Sequence, residues 1–501
     1  MSPVIAAIAR HAAAYPRRVA LTDGACEVTY ADLHHAVGSV APLLRARTSR
    51  AVALHLDNAP AWVVADLALI AARLPCVPLP GFFSSLQLAH AVCDAGVECV
   101  ITDQPARCLE YLSAGGLAAV RDPDLLVAGL PLACIRIPAP SVPTLPAGTQ
   151  KVTYTSGTTG SPRGVCLDGD ALSAVARSLG TACGLGARDR HLSVLPLATL
   201  LENVGIYASL MAGACCVLPP LQEIGFQGAT GIRAERLIAA LSRHGATTAI
   251  VVPQLLQALI AHIESGAAAP AGLRFLAVGG AVVAPALLAR AAALGLPAYE
   301  GYGLSECASV LTLNTPDANL PGSVGRPLPH VAIEIAPDGE ILASGATLIG
   351  YSGGAPGARR WPTGDTGYLD AGGYLHINGR KKDIFVTSYG RNISPEWIEA
   401  ELLAESPILQ AWAHGESRPW VCAVVTARDG CQDAAVGAAV ARVNERLPAY
   451  ARIRKWHRSR TPFSCASGEL TANGRLRRQV LASRYQSEIA TLYEKELHEF
   501  S

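Results

Sequence analysis

No Cys-x-x-Cys pair occurs among the fourteen cysteines, which are scattered apart from the adjacent Cys215 and Cys216. Neither a zinc site nor a disulfide framework fits that pattern. Reduced, mostly buried thiols in a cytoplasm do. An excess of charge of one sign is also missing, since the formal net charge is +1. Nothing therefore marks nucleic acid or an anionic membrane as a bulk electrostatic partner. The one basic cluster, residues 452–460, reads as a solvated face or a phosphate-side patch. Charged residues are few altogether, 16% against 50% hydrophobic. That balance excludes disorder and suits a large buried α/β core. The most apolar region, residues 59–80, carries Asp66 and Arg73 with prolines towards both ends, so it reads as core helix and strand rather than a membrane span. No signal peptide is visible, because Arg10, Arg17 and Arg18 interrupt the N-terminal apolar residues. The expectation is a cytoplasmic protein with no integral membrane segment.

A chain of 501 residues exceeds one compact core, so two or more domains are expected. Residues 18–22 and 27–30 read as a short strand pair before a helix from Ala31. Asp57-Asn58-Ala59-Pro60 reads as the cap of the next helix, residues 74–80 as a short buried strand and 97–102 as another. The proline-rich residues 135–148 read as a connection. Alternation resumes with strands at 190–195, 214–218, 248–252 and 273–278, each followed by a helix or turn signal. This is the pattern of doubly wound α/β sheets. Glycine, proline and short strands between 322 and 376 suggest a small distorted β unit. A third unit from near Arg380 reads as strand, helix (395–404), strands (410–414 and 420–426), helix (432–447) and a tail helix. The fold class is thus α/β: a large N-terminal domain of doubly wound sheets with a small β unit, then a small α+β C-terminal domain.

The most informative stretch is Thr153-Tyr154-Thr155-Ser156-Gly157-Thr158-Thr159-Gly160-Ser161-Pro162-Arg163-Gly164-Val165, entered from a β-branched strand starting at Lys151. Its glycines let successive N–H groups point at one anion. Its hydroxyls add donors, and Arg163 adds a planar cation suited to phosphate. Together they describe a flexible polyphosphate clamp. No Lys-Ser/Thr pair follows the last glycine, which excludes a Walker loop. The glycine spacing excludes a dinucleotide fingerprint. Further on, Tyr302-Gly303-Leu304-Ser305-Glu306 joins an aromatic, a hydroxyl and a carboxylate. An aromatic can stack on a purine, and a carboxylate can hold Mg²⁺ against phosphate oxygens.

In this order the motifs resemble those of AMP-forming acyl-activating enzymes: acyl-CoA synthetases, adenylation domains and luciferases. The resemblance covers nearly the whole chain and is greatest to bacterial fatty acyl-CoA synthetases. It implies that Thr155, Ser156, Gly157, Thr158, Thr159, Gly160 and Arg163 bind ATP phosphates. Tyr302 would then stack on adenine, with Gly303 and Ser305 beside the nucleotide. Glu306, with Thr155, would bind magnesium. Gly279, Gly280 and Ala281 resemble the segment along the adenine and acyl pocket, and Trp361-Pro362-Thr363-Gly364-Asp365 the ribose clamp, with Asp365 accepting both hydroxyls. Gly379-Arg380-Lys381-Lys382-Asp383 resembles the hinge, with Arg380 on the nucleotide and Lys382 the pivot of a mobile C-terminal domain. The implied division is 1–380 and 381–501. Ser388, Tyr389, Gly390 and Arg391 resemble the loop that enters the site for thioester formation, Arg391 reaching the nucleotide. Leu470-Thr471-Ala472-Asn473-Gly474-Arg475 resembles the last signature, which delivers a cation to the α-phosphate.

Four positions depart from the family pattern. Arginine stands at 475 and 163 where lysine is usual, and it keeps the charge but not the shape. Thr199 stands where a histidine or aromatic gate is usual, and Tyr389 where small residues are common beside the thiol tunnel. Three readings follow: a ligase making acyl-CoA from a carboxylic acid, a fatty acid first; adenylation with a carrier-protein phosphopantetheine arm or an amine as acceptor; and a nucleotide-binding homologue with little catalysis. ATP and Mg²⁺ are the implied cofactors and CoA the implied co-substrate. Chain length, acceptor and oligomeric state are not legible in the motifs.

Overall fold

The structure, a computed structural model, describes residues 2–138, 145–155, 162–227, 231–354, 356–471 and 474–494. Two large sheets carry the N-terminal part. In the first, strands Val19–Thr22, Cys215–Val217, Arg190–Leu192, Thr248–Val251, Phe275–Val278 and Ala298–Tyr302 lie side by side and all run parallel. In the second, Lys151–Thr155, Cys76–Pro78, Ala51–His55 and Val97–Thr102 are parallel, with antiparallel strands added at both edges. Parallel strands need helical crossovers, and those helices cover both faces of each sheet. One apolar cluster joins the inner faces of the two sheets through helices such as Pro60–Ala72 and Leu200–Ala212. Separate clusters line the two outer faces. The result is five layers, helix–sheet–helix–sheet–helix. No helix among the described residues is long and apolar enough to cross a membrane.

Helix Pro60–Ala72 shows why its sequence is apolar all round. Twelve of its residues are buried, because it lies between two sheets rather than on a surface. Its one charge, Asp66, meets Lys151 Nζ at 2.8 Å, and both side chains are 1% exposed. Lys151 Nζ also donates to Asn203 Oδ1 (2.5 Å) and the Tyr207 hydroxyl (2.9 Å). Each buried charge is paired and hydrogen-bonded, as burial requires. This knot fixes the root of the strand that runs into the phosphate-loop stretch.

Beyond the sheets, strands Val331–Ile335, Glu340–Gly345, Arg360–Leu369 and Leu375–Arg380 form a four-stranded antiparallel unit. It matches the small β unit expected between 322 and 376. After the turn at Lys381, strands Ile408–His414, Val421–Ala427 and Ile453–Arg458 pack against helices Pro395–Leu403 and Asp433–Arg446. All fourteen cysteines are free, and most are buried.

Three expectations change. Asp57 and Asn58 do not cap helix Pro60–Ala72, whose N-cap is Ala59 with no side-chain bond. Asn58 instead ties down residues 193–197, accepting from Leu197 N–H (2.8 Å) and donating to Leu195 O (2.9 Å). The basic run 452–460 is chiefly a strand: Ile453–Arg458 pairs parallel with Val421–Ala427, and Arg458 bonds Asp433 at 2.7 Å. Strands Val120–Val127 and Leu130–Arg136 form an antiparallel edge hairpin, so the proline-rich connection begins two residues later than read. Pro123 and the polar residues around it masked the first strand.

Candidate active site

Strands Lys151–Thr155 and Arg163–Leu167 pair antiparallel with Thr155 opposite Arg163. The stretch between them is thus closed at its base. Ser156, Gly157, Thr158, Thr159 and Gly160, read as the phosphate clamp, lie outside the described residues. Thr155 is half-buried and Arg163 exposed. Arg163 lies over the Tyr351 ring, 4.9 Å from its centroid. The Tyr351 hydroxyl donates to Glu306 Oε1 at 3.2 Å.

The Tyr302–Glu306 segment leaves the carboxyl end of strand Ala298–Tyr302 and turns through the short helix Ser305–Cys307. Ala308 and Ser309 then take φ of 54° and 106°. The chain doubles back so closely that a Cβ on Gly303 would sit 1.6 Å from Ser309 O. Glycine is therefore obligatory there for a physical reason. On the neighbouring strand Phe275–Val278, the carboxyl end continues into Gly279, packed against Gly301, and Gly280, with φ of 86°. Gly280 and Ala281 are exposed at the same sheet edge. In parallel sheets that edge is where ligands bind.

Asp365 lies in strand Arg360–Leu369, buried, with both oxygens occupied. Oδ1 meets Arg380 Nε at 2.9 Å, and Oδ2 accepts from the Tyr302 hydroxyl at 2.6 Å. Burial pushes this carboxyl up, while Arg380, then the Tyr302 hydroxyl, pull it back. Tyr302 is thus joined to the candidate ribose clamp through its hydroxyl. Arg380 also donates to Thr363 O (3.2 Å).

Arg475 comes from the far end of the sequence. It is within electrostatic range of Arg380, Glu396, Glu306 and Asp365. Loss of water, then the Arg380 charge, push its pKa down against the three carboxylates. Its side chain still meets solvent, as a group lining an open cleft does. Residues 388–391 are placed differently. Ser388, Tyr389, Gly390 and Arg391 are all exposed, Tyr389 at 76%. Ser388 N–H donates to Arg418 O, and Arg391 lies over the Tyr450 ring, both within the C-terminal unit. Lys382 sits exposed on the turn after Arg380. Thr199 is half-buried at the N-terminus of helix Leu200–Ala212.

Glu300, Tyr351 and Glu396 were not singled out by any motif. Glu396 had no signal beyond following Pro395. Glu300 lies two residues before Tyr302, is buried, and accepts one N–H from Val283. Burial pushes its carboxyl up to about 8.

A family profile for AMP-binding enzymes matches residues 8–351, and one for the AMP-binding enzyme C-terminal domain matches 382–497. The chain belongs to the AMP-binding enzyme family. Among curated relatives of the family, long-chain-fatty-acid–CoA ligase FadD15 of Mycobacterium bovis is 32% identical over 233 residues, 40% of this chain and 39% of its own. The match thus spans well under two thirds of FadD15. 2-Succinylbenzoate–CoA ligase of Bacillus velezensis is 29% identical over 429 residues, 81% of this chain and 83% of the relative. Among solved structures, o-succinylbenzoate CoA synthetase (MenE) of Bacillus subtilis with ATP and magnesium ion is 24% identical. It covers 94% of this chain and 98% of that one, with a TM-score of 0.73. The likeness shows a shared fold.

Magnesium can be tested against the residues of this AMP-binding enzyme. Among the described residues no group of three or more His, Cys, Asp or Glu could hold a metal ion. Magnesium, however, commonly uses one or two carboxylates together with substrate phosphates and water. Glu306 suits that mode: Oε1 is held by Tyr351, and Oε2 has no hydrogen bond among the described residues.

Proposed function

We propose that this enzyme activates a carboxylic acid, a fatty acid, with ATP and passes the acyl group to a thiol, CoA in the first instance. A carboxylate oxygen attacks the α-phosphorus of ATP. The bond to the β-phosphate oxygen breaks, pyrophosphate leaves, and acyl adenylate forms. A thiol sulfur then attacks the acyl carbon, the thiol proton passes to water, and AMP departs with the electron pair of the broken acyl–oxygen bond. Positioning and charge neutralisation dominate both steps. No histidine or cysteine is asked to act as acid or nucleophile.

The observation that carries this reading is Asp365, whose oxygens meet Arg380 Nε (2.9 Å) and the Tyr302 hydroxyl (2.6 Å), with Arg475 within electrostatic range from the far end of the sequence. Asp365 and Arg380 hold the ribose, Tyr302 packs on the base, and Arg163 and Thr155 meet the phosphates. Glu306 holds magnesium, which supplies Lewis acidity towards the phosphate oxygens when bound. Arg475 bridges the attacking carboxylate and the α-phosphate through two N–H groups. The two parts, 1–380 and 381–501, pivot near Lys382, and residues 388–391 exchange places with Arg475 for the second step. Thr199 and Gly279 line the acyl side. The enzyme works in the cytoplasm, where ATP and CoA are available.

Pyrophosphate exchange with a panel of fatty and aryl acids tests the first step. Mass spectrometry with CoA or a holo carrier protein tests the second. Exchange with no acid would sink the catalytic reading. Exchange with aryl acids alone would overturn the fatty assignment, and thioester only on the carrier would replace CoA.

A further inference from the structure

Tyr351 stands where three parts of the chain meet, and no motif points to it. Strand Gly350–Tyr351 pairs antiparallel with strand Arg163–Leu167, Tyr351 facing Val165. Ser352 N–H adds a bond to Gly164 O at 2.8 Å, and Leu348 N–H donates to Glu306 O at 2.7 Å. The backbone around Tyr351 is therefore docked on both the phosphate hairpin and the Glu306 segment. Its side chain repeats the pattern: the hydroxyl donates to Glu306 Oε1 (3.2 Å), and the ring carries the Arg163 guanidinium (4.9 Å). Trp361 meets the ring edge-on at 6.0 Å and limits its swing.

We propose that Tyr351 is a positioning residue that presets Glu306 and Arg163 as a pair, the carboxylate for magnesium and the cation for the polyphosphate. This rests on the magnesium reading of Glu306. With Oε1 engaged by the phenol, the carboxylate is fixed in rotation and Oε2 is left for the metal. Carboxylates that ligate metals are oriented by such outer bonds. The ring gives Arg163 a cation–π seat, which holds a long side chain in place without neutralising it. Arginine suits this seat better than lysine, because a planar guanidinium stacks on a ring face. The departure from the usual lysine at 163 thus acquires a structural partner.

The test separates the hydroxyl from the ring. ATP is held constant, Mg²⁺ is titrated, and the ATP-induced rise in Tm is read beside pyrophosphate exchange. Tyr351→Phe should raise the half-saturating Mg²⁺ by about 10-fold, the scale for losing a bond behind a metal ligand. Most of the response should return at high Mg²⁺. Tyr351→Leu should add a weaker response to ATP even at high Mg²⁺, because Arg163 loses its seat. A Tyr351→Phe protein with the wild-type Mg²⁺ curve overturns the proposal. So does one that loses metal-free ATP binding as much as MgATP binding, which would make the role merely structural. Glu306→Gln runs alongside: if its Mg²⁺ curve matches wild type, the magnesium reading itself fails and the proposal falls with it. If Glu306→Gln shifts the curve and Tyr351→Phe does not, only the role of Tyr351 falls.

Discussion

Arg475 and the loop of residues 388–391 belong to the same C-terminal unit and both meet solvent, yet the groups around them differ. Arg475 is within electrostatic range of Arg380, Glu396, Glu306 and Asp365. Tyr389 is 76% exposed, and its neighbours contact Thr387, Arg418 and Tyr450, all within the C-terminal unit. One rigid unit cannot offer both loops to one small site at once. On the proposed reading this is the arrangement for adenylation, with residues 388–391 on the solvent side. Arg290 donates to Ala404 O at 2.7 Å and Gln257 to Leu403 O, and Ala404 and Ala400 pack against apolar residues of the large part. Two polar bonds to helix-end carbonyls can be exchanged for water at modest cost, whereas the buried core of each part cannot.

The hardest blow to that contrast is Arg475→Ala. Pyrophosphate exchange should fall by about 10²-fold or more, the scale of a lost electrostatic stabiliser in a partly desolvated site. The same protein, given pre-made acyl adenylate and a thiol, should form thioester near the wild-type rate. Arg475→Lys should stay active. Equal loss of both half-reactions in a folded variant would break the division of labour. Tyr389→Gly is the mirror experiment, with a smaller effect. Thioester formation should change by about 3- to 10-fold, as for a shifted approach geometry, with exchange nearly intact. An equal change in exchange would place Tyr389 elsewhere. Limited proteolysis sharpens the comparison further. First cleavage should fall at residues 379–389, and ATP with acid should alter its rate about two- or three-fold. First cleavage within 150–330 would contradict the division near Lys382.

How much of this was legible depended on whether the signal was local. Strand Thr248–Val251 and helix Asp433–Arg446 follow from apolar pattern and turn residues close by. The site motifs were legible as groups because each is short and their order is distinctive. Partners set by tertiary approach were not. Glu306 and Tyr351 are 45 residues apart, and Lys151 and Asp66 are 85 apart. No spacing rule joins them. Asn58 illustrates the same limit from the other side. Locally it has the chemistry of a helix cap, but the segment near Leu195 offers it better-placed groups. The basic run 452–460 hid a strand because Ile453 is the only apolar aliphatic residue in it, and pairing with strand Val421–Ala427 outweighed the pattern.

The smallest expected effect concerns the part that stays still. Glu300 lies in the middle of strand Ala298–Tyr302, the last of the parallel strands, 6% exposed, with one N–H from Val283 as its support. Burial pushes its carboxyl from 4.5 up to about 8. Below about 4.5 both folded and unfolded chains hold the proton, and stability is at its fullest. As the pH rises towards about 8, the unfolded chain releases the proton and the folded chain keeps it, so stability falls. Above the folded value the slope from this group ends. Tm measured across that window should decline in the wild type and decline less in Glu300→Gln, which imitates the protonated acid. Because Glu300 belongs to the large part, cleavage at residues 379–389 should keep its wild-type rate in this variant. A Tm–pH slope unchanged by Glu300→Gln would remove Glu300 as its source. A changed cleavage rate would show instead that the sheet edge and the C-terminal unit are coupled, and the contrast between the two loops would then have to include the strand beneath them.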